Sequence, residues 1–447
     1  MTQESKPKID VFGILKKHIL VDGFDMIISL QKSKGVWLYD LKRDKKFLDL
    51  MSFYASQPVG LNRDELLDPE FQKKLMYPAI NKISNSDFYT EEYAEFVATL
   101  ERIAMPSYFK YAFFISGGAL AVENALKTAF DWKVRKNFAK GYKEEVGSKV
   151  IHFRQAFHGR SGYTLSLTNT ADPRKYMYFP RFKDWPRITN PKITFPLEKH
   201  LEEVKSLEQK ALSEINAAFE KYGDDIASII IEPIQGEGGD NHFRKEFFTE
   251  LRKIADEKEV MLIYDEVQTG VGITGKMWYH EWLGEEGRPD IISFGKKMQT
   301  CGIFSTTRVD EVENNVFHES SRINSTWGGN LVDMVRSTKY LEIIEKEHLV
   351  DNAKKQGEYL LKRLYELQEE FPDFVSNARG KGLMAAFDLP DPEKRNELKK
   401  IIFDKGALIL PTGEKGLRFR LVLDITQDEI DLGLNIITDS LKELKNK

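Results

Sequence analysis

The sequence predicts an α/β fold, with a mostly parallel sheet covered by helices on both faces and a smaller α+β domain after it. Short apolar blocks near residues 111, 150, 228, 260 and 291 recur with helical patterns between most of them, as parallel strands joined by crossover helices do. Beyond residue 330 the pattern changes to long amphipathic helices and then to short strands alternating with helices. The 447 residues suffice for a large core, and 41% hydrophobic with 30% charged residues is a globular composition. A net charge of -4 offers no basic excess for nucleic acid or an anionic membrane, so small-molecule partners are expected. One cysteine, Cys301, excludes an intrachain disulfide and an all-cysteine metal cluster, and no metal site is expected. No apolar signal core lies in Met1 to Lys8, and no run approaches the ~20 apolar residues of a membrane span, which makes the cytoplasm the expected compartment.

The blocks Gly35 to Asp40 and Phe47 to Met51 flank the charged turn 42–46 and predict a hairpin. Ser52 to Asn62 mixes aromatic, small and turn-forming residues and reads as a loop near a functional surface or as ordinary linker. Tyr93, Phe96, Val97 and Leu100 give a helix over 90–102 one apolar face. Tyr111 to Ile115 predicts a strand, followed by the small-residue turn Ser116-Gly-Gly-Ala119 and a helix with Val122, Leu126 and Ala129 on one side. Val150 to Phe153 is the next strand, and Leu197 to Tyr222 is a covering helix with Leu201, Val204, Leu207, Ala211, Ile215 and Phe219 inward. Ser228 to Ile231 is a buried strand that ends at Glu232-Pro-Ile-Gln-Gly-Glu237-Gly-Gly. A helix over 247–258 leads to the strand Val260 to Tyr264, and Ile291 to Phe294 is one more. Met334 to Phe371 reads as helix with a break at Glu347-His348. Strands over 382–387, 407–410 and 417–421, with helices at 393–404 and 427–444, complete the smaller domain.

The chemistry-bearing residues sit where these strands end. Asp265 closes one apolar block and Lys296 follows the next, so neighbouring parallel strands bring an acid and an amine to the sheet edge where open α/β sheets bind ligands. That pair suits pyridoxal phosphate: the lysine forms an imine and the aspartate keeps the pyridine nitrogen protonated. The turn before Gly118 and Ala119 leaves backbone N–H groups for a phosphate at a helix N-terminus. Phe157-His-Gly-Arg160 offers a ring for stacking and a guanidinium for a carboxylate. No dinucleotide glycine fingerprint follows any strand, which disfavours a nicotinamide dehydrogenase.

Together these motifs resemble the class III aminotransferases, pyridoxal-phosphate enzymes of fold type I, from about Asp22 to the last helix. Phe114 to Lys127, Phe157 to Tyr163 with Ser166 to Thr170, Phe294-Gly-Lys-Lys297 with Cys301-Gly302, and Asn324-Ser-Thr-Trp-Gly-Gly-Asn330 are similar to the branch that acts on the terminal amine of L-lysine. The 4-aminobutyrate and ornithine branches are the alternatives, although the iron–sulfur cluster of the mammalian 4-aminobutyrate type needs cysteines that this chain lacks. A decarboxylase or aminomutase on the same fold, or a silent binding protein, fits the motifs less well. The resemblance implies a seven-stranded, mostly parallel sheet and a division into 1–70 (N-terminal part of the small domain), 71–335 (cofactor-binding domain) and 336–447 (C-terminal small domain).

The same resemblance assigns roles. Lys296, not Lys297, carries pyridoxal 5'-phosphate and acts as base; Asp265 pairs with the pyridine nitrogen, Gln268 meets the ring hydroxyl and Phe157 stacks on the ring. Gly118 and Ala119 bind the phosphate, joined by Thr326 from a second copy, so a homodimer with shared active sites is implied. Arg160 takes the α-carboxylate of lysine, Asn324 adds a substrate contact, and Glu237 with Arg418 forms a switch that opens for a carboxylate of 2-oxoglutarate. The Pro-Pro-Leu run that usually follows this arginine in the family is absent from Leu417 to Leu423, so Arg420 stays an alternative to Arg418. The implied activity is ping-pong transfer of the lysine ε-amino group to 2-oxoglutarate.

Overall fold

The computed structural model describes residue 7 and residues 9–446, so the polar N-terminal stretch read above lies outside the description apart from Pro7. Three N-terminal strands, β1 (Ile28–Lys34), β2 (Trp37–Asp40) and β3 (Lys45–Asp49), form an antiparallel meander. The expected hairpin is β2 with β3, closing at the pair Asp40 and Lys45. The strand β1 was not expected, because its run Ile-Ser-Leu-Gln-Lys-Ser-Lys is mostly exposed and weakly apolar.

The central sheet has seven strands: β4 (Phe109–Ile115), β5 (Lys149–Phe153), β6 (Arg187–Ile188), β7 (Ile226–Ile231), β8 (Met261–Asp265), β9 (Ile291–Phe294) and β10 (Cys301–Thr306). Their order is β4-β10-β9-β8-β7-β5-β6, and β10 alone runs against its neighbours. Alternation along the buried strands sends side chains to two cores. Ile230, Met261, Ile263 and Ile303 pack with Val122, Ala125, Leu126 and Ala129 of the helix Gly118–Ala139. Ile229, Ile231, Leu262 and Ile292 face Phe247, Phe248 and Leu251 of the helix Lys245–Glu257 on the other side. Each such fully buried side chain contributes about 1.5–3 kcal/mol by leaving water. All six parallel strands end at one edge, which collects the loops after Ile115, Phe153, Ile231, Asp265 and Phe294 there.

The helices Leu331–Lys346 and Leu349–Glu370 meet at His348, whose φ of 53° breaks the run at the expected place. Next come β11 (Ser376–Lys381), β12 (Met384–Asp388), β13 (Ala407–Leu408), β14 (Leu410–Thr412) and β15 (Gly416–Arg420). The order β11-β12-β15-β14 makes a second four-stranded sheet, while β13 leaves it to pair in parallel with β3. The helices Pro392–Lys405 and Gln427–Lys445 cover this end. Other details also differ from the sequence reading. Val97, expected on the inner face of the helix Glu91–Ile103, is 39% exposed, because Phe96, Thr99 and Leu100 form that face. β6, β10 and β11 were not foreseen, since their sequences are too polar or too short to declare a strand without their pairing partners.

Candidate active site

The parallel edge opens into a cavity of about 500 Å³ lined by Gly118, Ala119, Phe157, Arg160, Asp265, Gln268, Lys296, Glu237 and Arg418, among others. Nine of the eleven residues singled out in the sequence therefore meet in one place. β8 and β9 are adjacent, with Asp265 opposite Ser293, so the acid and the lysine three residues later emerge side by side. Asp265 is buried and held from three directions: Val267 N donates to Oδ1 at 3.1 Å, Ser293 Oγ at 3.2 Å, and His158 Nδ1 meets Oδ2 at 2.7 Å. Burial works against a charge on His158, but its bond to Asp265 outweighs this and raises its pKa, and the ring braces the carboxylate.

Lys296 and Lys297 are neighbours with opposite situations. Lys297 Nζ donates to the carbonyl oxygens of Gln57 at 2.8 Å and Leu421 at 3.2 Å, which bolts it into the protein. The Lys296 amine has no hydrogen bond or ion pair among the described residues and lies in the cavity. Burial, then the nearby Arg418 and Arg420, lower its pKa to about 8, which raises the share of nucleophilic neutral amine.

Opposite lies the start of the helix Gly118–Ala139, whose N-cap, Gly117, has a φ of 107° and supplies no side-chain cap. Its first N–H groups thus face the cavity with the positive end of the helix dipole. A Cβ on Gly118 would stand 2.9 Å from Val267 Cγ1, so the cradle admits no side chain there. The Phe157 backbone N–H donates to Glu232 Oε1 at 2.7 Å, fixing the loop that presents the ring. Glu232 is buried at the cavity wall, and burial pushes its carboxyl up to about 8.

At the mouth, Arg160 is exposed and makes no ion pair among the described residues. Glu237 accepts from Arg418 Nη2 at 2.5 Å and, through its other oxygen, from Lys175. Burial favours the neutral acid, yet Arg418 and Lys175 prevail and hold the Glu237 carboxyl below the usual range. Arg418 Nε and Nη1 are buried without a partner among the described residues. Arg420 is instead consumed by the protein: its Nη1 and Nη2 meet Asp240 at 2.8 and 2.5 Å, and its Nε donates to Gln268 Oε1 at 2.8 Å. Asn324 and Thr326 lie outside the cavity, exposed on the turn before the helix Leu331–Lys346. Sequence reasoning missed His158, Glu232, Lys175 and Tyr54 as cavity residues. The first two stand inside motifs that were noticed, and Tyr54 lies in the segment 52–62, read as a loop near a functional surface or as linker; nothing in the sequence marks Lys175.

A phosphorylated pyridine aldehyde fits what is present. An unpartnered amine, a braced carboxylate, an aromatic face and uncapped N–H groups converge on a space closed to a side chain at Gly118, and buried guanidinium N–H groups await an anion. The family model for class III aminotransferases matches residues 21–441. The L-lysine-epsilon aminotransferase of Amycolatopsis lactamdurans is 46% identical over 436 residues, 97% of this chain and 95% of that protein. The human mitochondrial 4-aminobutyrate aminotransferase is 33% identical, over 93% of this chain and 85% of its own. The structure of the lysine aminotransferase from M. tuberculosis in the internal aldimine form superposes with a TM-score of 0.94 at 47% identity, covering 97% of this chain and 99% of that one. The chain belongs to the class III aminotransferases, transaminases of the seven-stranded α/β fold described above that work with pyridoxal 5'-phosphate.

Proposed function

We propose that this enzyme transfers the ε-amino group of L-lysine to 2-oxoglutarate in a ping-pong cycle, giving 2-aminoadipate 6-semialdehyde and L-glutamate. The observation that carries the reading is the masked arginine: Arg418 is covered by Glu237 while two of its nitrogens stay unpartnered. A covered arginine suits lysine, which needs one carboxylate site at Arg160. An uncovered one supplies the second site that a dicarboxylate requires. The relatives named for lysine, at 46–47% identity, support it.

Bound in the cavity, pyridoxal phosphate would supply an electron sink for the electron pair left when a proton is taken from the amine-bearing carbon. Lys296 holds it covalently and afterwards moves that proton on its Nζ as general base. Asp265, braced by His158, keeps the pyridine nitrogen protonated, Gln268 meets the ring hydroxyl, and Phe157 stacks on the ring. Gly118 and Ala119 hold the phosphate through their N–H groups together with Thr326 of the partner subunit. Arg160 orients the substrate by its α-carboxylate, and Asn324 adds a substrate contact.

The homodimer in this reading is supported by the exposure of Asn324 and Thr326 beside an apolar patch. Tyr77, Ile80, Phe88, Tyr89 and Trp327 are each at least 46% exposed, and Ser86 and Lys82 tie their segment to the 325–327 turn. The division at residues 70 and 335 is part of the same reading, supported by the pairing of β3 with β13, which joins the N-terminal segment to the C-terminal one. No helix among the described residues is long and apolar enough to cross a membrane, and the single cysteine supports a cytoplasmic location. One experiment tests the activity. Lysine added to the purified enzyme should bleach the near-visible absorbance of the bound cofactor, and 2-oxoglutarate should restore it. Bleaching by 4-aminobutyrate or ornithine but not by lysine would overturn the assignment.

A further inference from the structure

Glu237 has two cationic partners, and the switch accounts for only one. Its Oε2 accepts from Arg418, while its Oε1 accepts from Lys175. Lys175 ends a short 3-10 turn, Pro173–Lys175, in the long connection between β5 and β6. Its ammonium lines the cavity and lies 5.8 Å from the centre of the Phe157 ring.

For a dicarboxylate to take Arg418, Glu237 must give up its bond to that arginine. The Glu237 side chain is only 28% exposed, and a carboxylate stripped of its cation in so shielded a place is disfavoured. Lys175 removes the difficulty. Bound to the opposite oxygen, it keeps the carboxylate paired while Arg418 turns to the incoming anion. Its compact ammonium has no planar fork to misalign, so it follows a rotating carboxylate. Taking lysine and 2-oxoglutarate as the two substrates, we propose that Lys175 is a positioning residue for the keto-acid half-reaction, the second partner that holds Glu237 clear of Arg418 when a dicarboxylate enters. Without it, Arg418 is the only cation left to Glu237, and the closed pair competes with the substrate.

Lys175→Met keeps the aliphatic stem and removes the charge. The two half-reactions of the holoenzyme are followed separately, and glutarate, a dicarboxylate with no keto group, is titrated calorimetrically. The KM for 2-oxoglutarate should rise about tenfold and glutarate affinity fall by about the same factor. The kcat of that half-reaction and the lysine half-reaction should change by less than about threefold, and Lys175→Arg, which restores the charge but not the compact head, should recover part of the loss. Unchanged KM and glutarate affinity in Lys175→Met overturn the inference. So does an equal loss in both half-reactions without recovery by Lys175→Arg, which marks a residue that merely supports the loop. A wild-type enzyme inert toward lysine overturns the substrate assignment instead, and glutarate binding, which needs no amine donor, still decides the role of Lys175.

Discussion

Replacing Arg420 by Met removes a buried cation and leaves its counter-ion behind. The side chains of Arg420 and Asp240 are 1% and 0% exposed, and the guanidinium meets both carboxylate oxygens. No other donor reaches that carboxylate among the described residues, so the variant strands a buried charge at a loss of about 3–5 kcal/mol. An unfolding entropy of about 2.1 cal/mol/K per residue makes each kcal/mol worth about 1 °C in a chain of 447 residues. The Tm of Arg420→Met should therefore fall by about 3–5 °C, and adding Asp240→Leu should recover most of it by removing the stranded acid. Arg418→Met should behave in the opposite way. Glu237 keeps Lys175 and water, so Tm should stay within about 1 °C, while loss of one charge-assisted carboxylate contact raises the KM for 2-oxoglutarate about 10–100-fold. Thermal unfolding and steady-state kinetics on both variants decide the matter. A stable Arg420→Met enzyme that has lost 2-oxoglutarate, beside an unstable Arg418→Met enzyme that has not, would reverse the two roles.

Lys296→Ala should lose both the near-visible absorbance and turnover, whereas Lys297→Met should keep the absorbance and lose stability, because Gln57 and Leu421 lose their donor; normal lysine turnover by Lys296→Ala would sink the assignment. Glu237→Ala leaves Arg418 uncovered, so kcat/KM for lysine should drop by more than about tenfold while glutamate handling changes less; equal effects on both would count against the switch. In cofactor-free enzyme, capture of pyridoxal phosphate needs the neutral Lys296 amine, which burial and Arg418 bring to a pKa of about 8. Below that pH the ammonium has no lone pair, so the capture rate should climb with pH and reach half its plateau near 8; a flat profile between about pH 6.5 and 9.5 would refute the shift.

The acid–lysine pair was legible in the sequence because each residue ends an apolar block whose length and composition declare a buried strand. Strand alternation, by contrast, explains why Arg420 stayed an alternative to Arg418. Arg418 and Arg420 lie two positions apart on β15 and share a face, so the sequence gives them the same direction. What separates them is Asp240, which stands on a different loop and claims one guanidinium. The adjacent lysines needed the same kind of information, since the carbonyls that occupy Lys297 come from residues 57 and 421. β10 was hidden because its run Cys-Gly-Ile-Phe-Ser-Thr is a strand by virtue of lying between β4 and β9. Lys175 sits in a connection without periodicity, where position relative to Glu237 is set by the fold alone.

The parallel pairing of β3 with β13 also governs when this enzyme can come into being. Leu48 finds Ala407 only after nearly the whole chain has been made, and the cavity is lined from Tyr54 to Arg418. At about 5–20 residues per second, a ribosome needs on the order of 20–70 s to cover that interval. Only in the last third of that time does the nascent chain have Lys296, and until the end it lacks Arg418, the arginine proposed to read the second substrate. Assembly of the site is thus a late event of synthesis, and chains released before β15 lack a complete substrate site.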